Sequence, residues 1–133
     1  MFDHEKLKVY QEAIRFATWA DGLLQPLPKG SAVRDQLDRA STSIALNIAE
    51  GNGKFTGPDR CRFLDIARGS AFECAACLDL LIAKGMVEAH TADEGKGILR
   101  QIVSMLVGLI KAISADRVFE DTAEYGRENS GTE

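Results

Sequence analysis

The chain has 133 residues, 45% of them apolar and 27% charged, which suits one globular domain with its own core and excludes a disordered chain. Its net charge of −4 is carried by residues 116–133, with two arginines and six carboxylates, while residues 1–115 hold 14 basic and 14 acidic side chains. A neutral body argues against a protein that grips a phosphate backbone over a wide surface, and leaves only a local patch for such contact.

The longest apolar runs are broken by charges, so no membrane-crossing helix is expected. The N-terminus Met1-Phe2-Asp3-His4-Glu5 lacks the basic stretch and apolar core of a secretion signal, which makes the cytoplasm the default location. Three cysteines then fit free thiols in a reducing compartment.

Four helical segments are legible in chain order. The first spans about Asp3 to Leu24, with Val9, Ala13, Phe16, Ala20 and Leu23 on one stripe, widened by Tyr10, Ala17 and Leu24. Pro26 and Pro28 stop it. The second spans about Ser31 to Asn52, with Ser31 as N-cap. Leu37, Ile44, Ile48 and Gly51 form its core stripe, and Gly51-Asn52-Gly53 is expected to end it through left-handed backbone. The third opens at Thr56-Gly57-Pro58-Asp59, a capping-box spacing, and carries Phe63, Ala67, Ala71, Cys74, Leu78 and Leu81 to a stop at Lys84-Gly85. The fourth opens at the capping box Thr91-Ala92-Asp93-Glu94 and places Ile98, Ile102, Met105, Leu109 and Ile113 on its stripe. No stretch alternates with period two for long enough to make a sheet. These segments predict an all-α, antiparallel up-down-up-down four-helix bundle over residues 1–115, followed by an acidic tail, 116–133, expected to be disordered at least beyond Tyr125.

Beside its core stripe the second helix carries a polar one. Arg39, Ser43, Asn47 and Glu50 step by four, four and three, about 100° round from the core. Such a helix has two neighbours, its own bundle and either a second subunit or a ligand. Small residues nearby (Ala40, Ala45, Ala49, Gly69, Ser70 and Ala71) permit close helix approach. The expectation is a buried or interfacial network in which Arg39 or Arg68 neutralises Glu50 or Glu73, with Ser43, Asn47 and Ser70 completing the hydrogen bonds. The competing reading is a solvated face that borders the core.

The other constellations are blander. Cys74-Ala75-Ala76-Cys77 falls mid-helix, away from the helix N-terminus that activates a redox thiol, and reads as packing by small residues. His4 and His90 have no companions in the Glu-x-x-His spacing of di-iron bundles, so no metal set and no cofactor is expected. Lys54, Arg60, Arg62 and Arg68 gather where the second helix meets the third and offer phosphate contacts, but Asp59 and Asp65 interleave with them and favour a self-neutralising face. No nucleophile–base pair assembles from these residue types, so no enzyme is expected.

Several of these residues match a known family. Leu7-x-x-Tyr10-x-x-Ala13, Gln36-Leu37-x-Arg39-Ala40-x-x-Ser43-Ile44, Asn47-Ile48-Ala49-Glu50-Gly51 and Phe63-Leu64-x-x-Ala67-Arg68-Gly69-Ser70-x-x-Glu73 resemble the four-helix bundle proteins of the 23S rRNA intervening-sequence type. The resemblance spans roughly residues 5–115. It implies an up-down bundle and a ring-like homopentamer, with Arg39, Asn47, Glu50, Arg68 and Glu73 organising a polar network rather than performing chemistry. A similar bundle serves diversity-generating retroelements, where a basic pentamer partners a reverse transcriptase and nucleic acid. The present chain differs from that relative in its neutral body and acidic tail. The function expected is therefore a non-enzymatic, homo-oligomeric scaffold or adaptor for a protein or nucleic-acid partner, with no membrane role. The alternative is a nucleic-acid-binding accessory acting through Lys54, Arg60, Arg62 and Arg68.

Overall fold

A computed structural model gives the backbone of residues 1–128 and the side chains of residues 1–115. It is all-helical, with no strand among the described residues. A short 3-10 turn, Asp3–Lys6, leads into α1 (Lys8–Leu24), α2 (Ala32–Asn52), α3 (Gly57–Ala83) and α4 (Ala89–Glu128). The first segment is thus two elements, because the extended backbone of Leu7 (φ −73°, ψ 127°) separates the turn from α1.

The caps explain most of the boundaries. Ser31 accepts a hydrogen bond from the Arg34 amide at 3.4 Å and opens α2, and Thr56 accepts one from the Asp59 amide at 3.3 Å and opens α3. Gly85, at φ 68°, takes the left-handed conformation that ends α3. Two expectations need correction. The helix α4 begins at Ala89, so Thr91 lies inside its first turn and is not its N-cap. The α2 terminus uses no left-handed residue, since Gly53 sits at φ −83° and ψ −6°.

Gly51 has a different task. A Cβ there would stand 2.9 Å from the Cβ of Phe63 and 3.3 Å from the carbonyl oxygen of Arg60, both fixed to the α3 backbone. The glycine lets the end of α2 lie against the start of α3. Gly95 plays a similar part against α1, where its missing side chain leaves room for the Trp19 ring.

The core is one cluster drawn from all four helices. Phe16, Leu37, Ile44, Ile48, Leu78, Leu81, Ile102 and Leu106 are fully buried within it. Each such side chain contributes roughly 1.5–3 kcal/mol relative to exposure. Within the predicted stripes, Leu23, Phe63, Met105, Leu109 and Ile113 are only partly buried, and Leu24, Leu64, Leu99 and Leu106 take the deeper places. The helical period of 3.6 accounts for the exchange, because a stripe stepped by fours drifts around the helix by one neighbour in a few turns.

The helix α4 runs from Ala89 to Glu128, with no glycine or proline between residues 109 and 125 to interrupt it. Residues 129–133 lie outside the described residues. The stretch Ala89–Ala115 is long and apolar enough to cross a membrane by length and composition alone, a test that the core helix of a bundle also passes. In the bundle, its Ala92, Ile98, Leu99, Ile102 and Leu106 face the core.

Candidate functional site

The polar stripe of α2 stands against α3. The register is set by Ser43, whose Oγ lies 2.9 Å from Ser70 Oγ, and by Gly51, which faces Phe63. Around the serine pair a compact network forms. Asn47 donates from Nδ2 to the Ser43 carbonyl at 2.9 Å and to Ser43 Oγ at 2.9 Å. Ser43, Asn47 and Ser70 are half-buried, so part of their polar surface still faces outward.

The charged members do not join this network within one chain. Arg39 donates to Gln36 Oε1 at 3.2 Å, one turn back on α2. Arg68 pairs with Asp65 at 3.1 Å and lies over the Phe72 ring at 5.9 Å. Glu50 and Glu73 are exposed and take part in no ion pair among the described residues. The expected neutralisation of Glu50 or Glu73 by Arg39 or Arg68 is therefore absent within one subunit. The physical reason is exposure: a partner one helical turn away satisfies each arginine at little entropic cost, and an interhelical surface pair adds less than about 1 kcal/mol.

What the sequence did not signal is apolar surface beside the polar network. Leu46 is 63% exposed on α2 and Ile66 is 44% exposed on α3. Leu46 lies two residues, about 200°, round the helix from the core residue Ile44. The run Ile44-Ala45-Leu46 hides this position, because a leucine among apolar neighbours reads as core. Phe72 is likewise 55% exposed, at the edge of an apolar groove of about 490 Å³ between α3 and α4 that Ala75, Leu99 and Val103 also line.

The serine pair gives a direct test. Ser43→Ala removes the bond to Ser70 and one acceptor of Asn47, and should cost about 1 kcal/mol. The double variant Ser43→Ala/Ser70→Ala should cost little more than either single change, because the two hydroxyls share one bond. Chemical denaturation of the four proteins checks this, and strict additivity would refute the coupling.

The basic residues divide into two places. Lys54 Nζ lies 4.9 Å and the Arg62 guanidinium 4.8 Å from the Phe63 ring centroid, and Arg62 is also 3.9 Å from Asp59. Arg60 stands on the same corner, with its Nε buried and lacking a hydrogen-bond partner, and Phe55 is fully exposed beside Lys54. Arg68 does not belong to this group. It sits six residues beyond Arg62, roughly 9 Å along α3 and about 120° round it.

The thiols follow the packing reading. Cys74 and Cys77 are buried on the core face of α3. Burial is the largest influence pushing the Cys74 thiol up, followed by the neighbouring Cys77 and Glu73, and the same order of burial and then Glu73 raises Cys77. Cys61 is half-buried, 3.7 Å from Ser114 Oγ. A thiol reagent should therefore label Cys61 quickly in the native protein and the other two only on unfolding. Equal rates for all three would refute this. Because the buried thiols stay protonated while those of the unfolded chain ionise near pH 9.0, their contribution to stability is complete below that pH and is lost as pH rises above it.

Comparison with known proteins gives the family and the fold. No curated protein matches the chain. A crystal structure of a protein of unknown function from the S23 ribosomal protein family of Bacteroides thetaiotaomicron VPI-5482 matches with a TM-score of 0.73 and 25% identity, over 77% of this chain and 98% of that one. The sequence profile of the 23S rRNA-intervening sequence proteins matches residues 5–108, which takes in the Asn47–Gly51 run, the serine pair and Glu73. The chain belongs to the 23S rRNA-intervening sequence protein family.

Proposed function

We propose that this protein is a non-enzymatic, homo-oligomeric scaffold whose subunits meet through the outer face of α2 and α3. The observation that carries the proposal is the placement of Leu46 and Ile66, exposed and apolar, around the half-buried Ser43–Ser70–Asn47 network. Exposed apolar side chains next to a hydrogen-bonded polar cluster bring together the two kinds of contact that a protein interface combines. Arg39, Glu50 and Glu73 flank it and are free of interhelical partners among the described residues, so a neighbouring subunit supplies their counter-charges. The family resemblance makes a ring of five the arrangement to expect.

A second reading, a nucleic-acid-binding accessory, draws on the corner where Lys54 and Arg62 flank Phe63 and Phe55 stands exposed. One experiment addresses both. Light scattering during size-exclusion chromatography, with absorbance read at 260 and 280 nm, should give a multimer free of nucleic acid. Co-eluting nucleic acid that high salt removes would favour the second reading, and a monomer would refute the first.

A further inference from the structure

We propose that the groove between α3 and α4 is a binding site for a fatty carboxylate, a linear apolar chain ending in one anionic group. The site lies on a different face from the α2–α3 contact and stands or falls separately from it.

The groove follows from the register of the two helices. Cys61 lies beside Ser114, and further along the pair Asp79 bridges to Lys96, so α3 and α4 run antiparallel with Ala75 level with Arg100 and Ala71 level with Ser104. The alanines at 71 and 75, one turn apart, put little volume on the α3 side, and Leu99 and Val103 form the wall on α4. The space left is about 490 Å³, inside the roughly 300–1,000 Å³ range of small-molecule sites. It extends roughly 12 Å along α3, from Ala71 to Asp79. Phe72, 55% exposed, stands at its edge and adds aromatic surface that the single chain leaves open to water.

The polar groups select the occupant. Both walls are helix interiors whose backbone groups bond within the helix, so the groove gives a peptide backbone nothing to pair with. Asp79 and Lys96 neutralise each other across one end. Arg68, whose guanidinium lies over the Phe72 ring at the other, is paired with Asp65. Arg100 is exposed on the rim and takes part in no ion pair among the described residues. The lining therefore carries one uncompensated positive charge, midway along an apolar trough. An acyl chain laid in the trough covers Phe72, Leu99 and Val103, and its carboxylate meets the Arg100 guanidinium, which accepts such a group through two parallel hydrogen bonds.

Isothermal titration calorimetry on the full chain, with decanoate below its critical micelle concentration, tests this. Binding should saturate, and octanoate should bind several-fold more weakly, because two methylenes leave the apolar wall. Decyltrimethylammonium, which keeps the chain and reverses the charge of the head, should bind about tenfold more weakly still. Arg100→Glu should weaken decanoate binding about tenfold and, being an exposed change, should leave the circular dichroism spectrum and Tm unaltered. Binding should survive in a protein carrying Leu46→Asp, which separates this site from the α2–α3 face. Absence of saturable binding, equal affinity in the Arg100→Glu protein, or equal affinity for the cationic amphiphile would overturn the proposal. So would a Phe72→Ser protein that changes its particle mass and keeps its affinity for decanoate, since the groove would then be a subunit contact.

Discussion

Gly51→Val should destabilise the protein by about 3 kcal/mol and lower Tm by roughly 10 °C. The added carbons have nowhere to go. The nearest atoms are the Phe63 Cβ at 2.9 Å, the Arg60 carbonyl oxygen at 3.3 Å and the Leu64 amide nitrogen at 3.6 Å. None of these can rotate aside, so α2 and α3 must separate along their contact. Gly51→Ala should cost less, about 1 kcal/mol, because the better helix propensity of alanine offsets part of the clash. Gly53 supplies the control. Its Cβ would meet nothing closer than 3.5 Å and its φ is −83°, so Gly53→Ala should be neutral or slightly stabilising. Thermal unfolding of the three variants decides the matter. Equal losses at positions 51 and 53 would mean that the helix terminus, and not the α2–α3 approach, is what the glycine serves.

This glycine shows what the sequence can and cannot disclose. The helical segments follow from periodicity and from breakers that act locally, so Pro26, Ser31, Thr56 and Gly85 mark the boundaries as their chemistry requires. The reason for Gly51 is nonlocal. It depends on which α3 residue lies opposite, and no one-dimensional pattern carries that information. Ser43, Asn47 and Ser70 are legible as members of one polar network because they sit on polar or small positions of adjacent helices, but the pairing of the two serines depends on the α2–α3 register. The partners of Arg39 and Arg68 are not legible, because an exposed arginine chooses among many nearby acceptors of nearly equal energy. The exposure of Leu46 was missed for a third reason. Apolar residues mark burial, and burial in a neighbouring subunit leaves the same mark as burial in the subunit's own core.

That ambiguity makes Leu46→Asp the most informative change for assembly. Leu46 is 63% exposed in the single chain, so a carboxylate there meets water and should leave the helical circular dichroism spectrum unaltered. At a subunit contact the same carboxylate is buried without a partner and faces Glu50, one turn along α2. Stranding a charge in this way costs several kcal/mol per contact, and in the proposed ring every interface would carry that cost, so the assembly should dissociate to the 14.5 kDa chain. Ile66→Asp, on the facing helix, should act in the same direction. Glu50→Ala should weaken the assembly less, since it removes a flanking charge and not an apolar centre. Sedimentation or light scattering at matched concentrations measures the outcome. If the wild-type chain forms a multimer that Leu46→Asp and Ile66→Asp leave intact, the subunits meet elsewhere, and the apolar groove edged by Phe72 between α3 and α4 becomes the face to alter next.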